Sequence, residues 1–267
     1  MPEGDNIHAA AARLRAALKG HEIVRFELRR DPRGVRSPAT GRRVVDVEAR
    51  GKHLLMSFDD GRTLHTHMQM QGAWHLYGMG QRWRRPRHRA RVIVEIDDGT
   101  TAVCFDAPLV ELRDDGQRLL PSHAERTLAR LGPDLADPAV DLDSIAARLE
   151  VLDPTREVAA VLLDQRVAAG IGNVYKSELC WAVRVHPATQ LGAIDTSTRC
   201  ELNSLAHRLL VSNTGRARRA TFNGGLAVYG RARRPCPRCR TPIARVRQGE
   251  PARVTYWCPS CQPPPST

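Results

Sequence analysis

Two cysteine pairs near the C-terminus constrain this chain more than any other feature. Cys236 and Cys239, then Cys258 and Cys261, form two Cys-x-x-Cys pairs separated by 18 residues. This spacing matches a four-cysteine structural zinc site, in which each pair sits on a tight knuckle and aims two thiolates at one point. Four soft ligands close the tetrahedron and leave no open position for a substrate. The alternative is a redox pair. Between the knuckles, residues 244–246 and 253–257 have strand character around Gly249, which predicts a metal-stapled β-hairpin carrying Arg253. Arg253 is then either a groove or phosphate contact or a plain surface charge. The remaining cysteines, Cys104, Cys180 and Cys200, read as ordinary buried thiols. Nothing in the spacing resembles a secreted disulfide framework.

A small rigid finger on a basic chain points toward a polyanion. The formal net charge is +12, and only three of the 41 cationic residues are lysine: Lys19, Lys52 and Lys176. Arginine forks suit phosphate, so each surviving lysine raises the question of what an amine does there. Aromatic residues make up only 4% of the chain, too few for a single-strand binder built on stacking platforms. No run of 18 apolar residues exists, and the N-terminus lacks the charged and apolar regions of a secretory signal. The expectation is a cytoplasmic, nucleoid-associated monomer with no membrane partner.

Residues 3–19 read as a helix, with Ile7, Ala10, Ala11, Leu14 and Leu18 at helical spacing and Gly20 closing it. Residues 22–112 read as short strands between Asp-Gly turns. Val45 and Val47, then Leu54, Met56 and Phe58, then Val92, Val94 and Ile96 alternate with other residues, predicting antiparallel sheets in a sandwich. The arginine-rich segment 81–91 is either a solvated face or a phosphate contact. Residues 113–138, including Leu131-Gly132-Pro133-Asp134-Leu135, are a candidate interdomain linker. Helical text follows at 156–168, 174–183 and 198–211, and residues 213–234 read as mobile. The fold class expected is α+β. The expected division is 1–130, an N-terminal β-sandwich; 131–222, a helical domain; and 223–267, the zinc finger and tail.

Two further elements carry chemistry. Gly170 and Gly172 join two helices and place Asn173 at the start of the second, as a simple N-cap or as a phosphate ligand. At the other end, removal of Met1 would leave Pro2 with the terminal amine. A secondary amine can attack a sugar C1′ and form an iminium, an electron sink that eases strand elimination. Glu3 beside it can carry a proton to the sugar ring oxygen. His65 and His67 alternate on a strand, as core or groove histidines or as a metal pair.

Pro2-Glu3-Gly4-Asp5, Arg50-Gly51-Lys52, Leu131-Gly132-Pro133-Asp134, Leu163-Asp164-Gln165 with Gly170-Ile171-Gly172-Asn173, Val228-Tyr229-Gly230-Arg231 and the cysteine pairs occur in one order. Together they resemble the bifunctional DNA glycosylases of the formamidopyrimidine-DNA glycosylase and endonuclease VIII family, across residues 2–261. The resemblance implies a sandwich facing a helix–two-turn–helix domain and zinc finger, with damaged DNA between them. It implies Pro2 as nucleophile, Glu3 as sugar-ring acid, and Lys52 as a phosphate contact that assists elimination. It implies Asn173 and Arg253 on flanking phosphates, and Gln69, Met70 and Gln71 filling the stack vacated by an everted nucleotide. Gly4-Asp5, and Ala107-Pro108-Leu109-Val110 where the guanine-repair branch resembles Arg-Phe-Gly, favour the endonuclease VIII branch and oxidised pyrimidines. Competing readings are an oxidised-purine glycosylase, a non-catalytic binder of damaged or abasic DNA on the same fold, and a basic zinc-ribbon protein that binds RNA.

Overall fold

Glu3 opens the first helix through a reciprocal cap. Its side chain accepts from the backbone N–H of Asn6, and the Asn6 side chain accepts from the Glu3 N–H at 3.4 Å. The helix, α1 (Gly4–Leu18), buries Ile7, Ala10, Ala11, Leu14 and Leu18, and Gly20 leaves it at φ +84°. The computed structural model describes residues 2–29, 39–114, 123–216, 218–249 and 252–265. The chain divides into two units, residues 1–129 and 130–267.

Among the described residues of the first unit, eight strands follow α1: β1 (Ile23–Leu28), β2 (Val44–Arg50), β3 (His53–Phe58), β4 (Arg62–His67), β5 (Ala73–Tyr77), β6 (Ala90–Ile96), β7 (Thr101–Phe105) and β8 (Leu109–Asp114). They form two antiparallel sheets, ordered β1-β6-β7-β5 and β2-β3-β4-β8. Leu54, Met56, Phe58 and Leu64 from one sheet share a core with Val92, Val94 and Ile96 from the other and with the α1 stripe. The expected sandwich is therefore present. The alternation expected at Val45 fails: the β2–β3 register shifts between Val44 and Asp46, so Val44 and Val47 are buried while Val45 is 48% exposed. A bulge inserts a residue that the two-residue period cannot foresee. A short helix, α2 (His123–Ala129), completes this unit.

The second unit holds α3 (Leu142–Glu150), α4 (Val158–Leu163), α5 (Asn173–Ala182) and α6 (Thr196–Asn213). Asp141 and Asp195 cap α3 and α6 through their side chains. The helix expected over 156–168 is shorter, because Asp164 ends α4 and accepts from Arg156 and Arg166. Gln165 then staples the double turn. Its amide donates to Leu163 O and Ile171 O, both at 2.9 Å, and accepts from Gly170 N. A hairpin of β9 (Ala244–Gln248) and β10 (Arg253–Trp257) ends the unit.

The boundary between the two units falls inside 113–138, the segment expected as an interdomain linker, of which 115–122 lie outside the described residues. Its part 131–135 is fixed to the second unit: Gly132 N donates to Gln165 O, Leu135 N to Ala169 O, and Ala169 N to Pro133 O. A Cβ on Gly132 would lie 2.4 Å from Val167 O, so a side chain there is excluded. The expectation of a mobile 213–234 is corrected: 218–234 is not loose among its described residues. The buried Glu178 carboxylate accepts from the backbone N–H groups of Ala227, Val228 and Tyr229 and from the Thr221 hydroxyl. Polar composition hid a segment that is ordered by one buried acid on another element.

Candidate functional site

The start of α1 places Pro2 and Glu3. Glu3 is fully buried and its carboxylate accepts from the Asn6 N–H of the helix cap, and Asp5 in the first turn is buried too. Pro2 is half-buried and lines a cavity of about 500 Å³ between one flank of α1 and β5. Met68 and Gly72 line the same cavity, so the turn holding Gln69, Met70 and Gln71 borders it. That turn is built tightly. Gln69 sits at φ +46°, Gly72 N donates to Met68 O at 2.8 Å, and a Cβ on Gly72 would lie 2.6 Å from that oxygen. Arg85 donates to Gln71 O at 2.9 Å. The result presents Met70 at 69% exposure, an apolar side chain held out to solvent on a fixed turn.

Lys52 lies in the β2–β3 turn after Gly51, whose φ is +57°. His53, next to Lys52, pairs with His67 across β3 and β4, which puts this turn beside the end of β4; burial first, and the Lys52 charge in addition, lower the pKa of both histidines. His67 in turn accepts from Gln69 N–H through Nδ1 at 3.2 Å, so its proton sits on Nε2. Lys52, His67 and the Gln69 turn thus form one connected patch.

Behind that patch is a histidine cluster that strand alternation only half revealed. His53 Nδ1 lies 2.8 Å from His65 Nε2, and the His53 and His67 rings pack at 4.6 Å. Burial is the main reason His53 is pushed down to about 3 and His65 to about 4. The neighbouring His67, Lys52 and Arg50 add to the first, and Arg113 and His67 to the second. These rings are neutral at pH 7. They spend nitrogens on each other and do not converge on a point. Among the described residues, the only group of three or more histidine, cysteine or acidic side chains able to hold a metal is the cysteine set.

In the second unit, α5 carries the polar anchors. Asn173 is its first residue and Gly172 the cap, so the simple N-cap reading is corrected. The Asn173 amide donates to Val254 O at 2.7 Å, Lys176 Nζ to Thr255 Oγ1 at 2.7 Å, and Tyr256 N to Ser177 Oγ at 3.4 Å. Three successive residues of β10 are tied to α5, which fixes Arg253 at the head of that strand, next to Asn173. Lys176, Ser177 and Glu178 are anchors that no sequence motif marks. Their one visible signal is a run of polar residues in a helix that buries nearly every position.

The cysteine sulfurs all lie within 4.8 Å of one another. Cys236–Cys261 and Cys239–Cys258 are 3.9 and 3.3 Å apart, close to the ~3.8 Å edge of a zinc tetrathiolate with bonds of about 2.3 Å. Trp181 Nε1 and Arg238 N donate to Cys236 Sγ, and Cys261 N to Cys258 Sγ, each at 3.4 Å. N–H groups aimed at sulfur suit thiolates held by a cation. Arg238 packs 4.1 Å above the Trp181 ring and donates to the last carbonyls of α5, Trp181 O and Ala182 O. Two of the three scattered cysteines, Cys104 and Cys180, are buried as expected. Cys200 is exposed on α6, which corrects the third.

A sandwich led by a capped Pro-Glu helix, a stapled double-turn helical unit and a tetrathiolate finger define a recognisable class. Sequence profiles match all three parts: formamidopyrimidine-DNA glycosylase N-terminal domain over residues 1–108, formamidopyrimidine-DNA glycosylase H2TH domain over 131–211, and the zinc finger found in FPG and IleRS over 234–264. The chain is 43% identical to the probable endonuclease 8 2 of Streptomyces coelicolor, covering 100% of this chain and 95% of that protein. It is 40% identical to the DNA-(apurinic or apyrimidinic site) lyase Nei2 of Mycolicibacterium smegmatis, covering 98% and 99%. A Lactococcus lactis Fpg (MutM) structure with N7-benzyl-Fapy-dG DNA superimposes with a TM-score of 0.79 at 22% identity, covering 98% and 100%; at that identity it supports the fold alone. This chain belongs to the formamidopyrimidine-DNA glycosylase and endonuclease VIII family. Its four C-terminal cysteines are a structural zinc finger.

Proposed function

We propose that this protein acts in base-excision repair of DNA, removing oxidised bases, pyrimidines foremost, and cutting the strand at the resulting abasic site. The observation that carries the reading is the pairing at α1: a buried Glu3 beside a Pro2 that lines an open cavity. It stands in a chain that matches relatives named endonuclease 8 and abasic-site lyase over nearly its whole length. Once Met1 is removed, the Pro2 nitrogen bonds to C1′ as the bond from C1′ to the base breaks, and the base leaves with a proton. Glu3 delivers a proton to the ring oxygen, and the sugar opens to an iminium. The iminium accepts the electron pair left by loss of the C2′ proton, and the 3′ phosphate leaves. A second elimination expels the 5′ phosphate. Lys52 contacts phosphate and assists these steps. Asn173 and Arg253 grip flanking phosphates, and Gln69, Met70 and Gln71 fill the gap in the stack. We keep the three-part division 1–130, 131–222 and 223–267, and a monomer, as parts of this proposal. No described helix is long and apolar enough to cross a membrane.

The test is borohydride trapping on duplexes carrying an abasic site, an oxidised pyrimidine or an oxidised purine. A covalent adduct that maps to Pro2 and disappears in Pro2→Gly is expected, with Glu3→Gln losing base release but keeping some abasic-site trapping. No adduct from processed, zinc-loaded protein would leave non-catalytic binding of damaged DNA as the better reading.

A further inference from the structure

The cavity beside Pro2 has a charge that the proposed chemistry does not use. One wall is a flank of α1, with Asn6 and Arg13; the other is β5, an edge strand, with His75; Arg84 closes one side. None of the described lining residues is acidic. Five nearby arginines each have a carboxylate partner, although they share two: Arg85 and Arg89 pair with Asp106, and Arg25, Arg29 and Arg87 pair with Glu27. Arg13 and Arg84 have no carboxylate partner among the described residues. Two uncompensated guanidiniums facing one concavity make a field that only an anion satisfies, and the forked donors match phosphate oxygens.

We propose that this cavity is a phosphate-binding subsite for the nucleic-acid strand, with Arg13 and Arg84 as its ligands and Pro2 at its edge. It is separate from Lys52, Asn173 and Arg253. The identity of the phosphate rests on the strand-cleaving reading above: a terminal phosphate freed by elimination, or an internal one of the intact strand. Both have the same chemistry, and a bound end would slow product release. His75 reports on occupancy. Burial holds its pKa below the ordinary value, and Arg84, Arg85 and Arg13 push it the same way. An anion between those guanidiniums offsets their repulsion and raises it. The other groups against His75 are the rings of Tyr77 and Phe105.

The test uses full-length, zinc-loaded protein. Anisotropy compares nicked duplexes ending in phosphate or hydroxyl at the lesion position, and an intact abasic-analogue duplex, across a salt series. NMR follows His75 during titration with inorganic phosphate. The wild type should favour phosphate ends about tenfold, and His75 should titrate at higher pH with phosphate present. Arg13→Gln with Arg84→Gln should erase both effects, Arg13→Lys with Arg84→Lys should restore part, and Arg42→Gln, at an arginine paired with Asp60, should change neither. If the ends make no difference but the glutamine pair flattens the salt slope on intact duplex by about one, the ligand is an internal phosphate. No end preference, an unchanged slope and an unmoved His75 would overturn the subsite. Borohydride trapping at saturating DNA separates the two ideas. Loss of phosphate preference with trapping intact supports the subsite, whereas a wild type that binds phosphate but never traps sinks only the lyase reading.

Discussion

The molecule holds two clusters of side chains of the kind that bind metals, and they have opposite fates. In the second unit, Cys236, Cys239, Cys258 and Cys261 point inward at one centre and receive N–H donors from Trp181, Arg238 and Cys261. In the first unit, His53, His65 and His67 come together across β3 and β4, yet they pack ring against ring, and His53 and His65 share a hydrogen bond. The cysteines sit on knuckles, which can turn two ligands toward one point. The histidines sit on flat paired strands, where side chains leave the sheet nearly parallel and meet side by side. Residue type alone does not make a metal site; the backbone that carries it decides convergence.

The largest effect that would break this contrast lies in the finger. Cys258→Ala, or a strong chelator, should unfold the β9–β10 hairpin, because apparent zinc affinities in such sites amount to roughly 10 kcal/mol or more of folding free energy. Hydrogen exchange should show amide protection lost over 244–257 and kept in β3, β4 and β6. A finger that kept its protection without metal would end the zinc argument.

A smaller effect belongs to the histidines. His53 and His65 are lowered to about 3 and 4 from an ordinary 6.5, so the unfolded chain binds protons that the folded chain refuses. Their contribution is present above pH 6.5 and is lost as the pH falls from there toward 4. Acidification from pH 7 to 5 should cost the first unit on the order of a few kcal/mol, read as a falling Tm in the β-sheet signal. Zinc should not restore it. A Tm flat over that window would mean the rings are protonated or solvated.

The smallest effect separates cysteines inside the cluster from one outside it. Cys200→Ser, on an exposed face of α6, should shift stability by no more than about 0.5 kcal/mol and leave zinc at one equivalent per chain. A change in stoichiometry would place Cys200 in a second site.

Much of this was legible because its signals are local. Fixed cysteine spacing, two-residue alternation on β3 and β6, and the helical stripe of α1 each depend on neighbours along the chain, so they survive in a one-dimensional reading. The same holds for Pro2-Glu3, whose cap is written within four residues. What escaped depends on distant partners. Val45 is exposed because of a bulge against β3. The 131–135 segment is fixed by carbonyls some thirty residues on. Residues 227–229 are ordered by Glu178, roughly fifty residues earlier; turn formers make the first segment read as a linker, and Arg, Gly and Asn make the second read as mobile. Arg84 is distinguished from Arg85, Arg87 and Arg89 only because Asp106 and Glu27 reach the others. By itself the sequence determined the zinc ligands, the sandwich, the helical text and the Pro2-Glu3 start of α1. The tertiary structure decided which charges are spent and which are left over, because compensation is a matter of distance in space, and spacing along the chain does not report it.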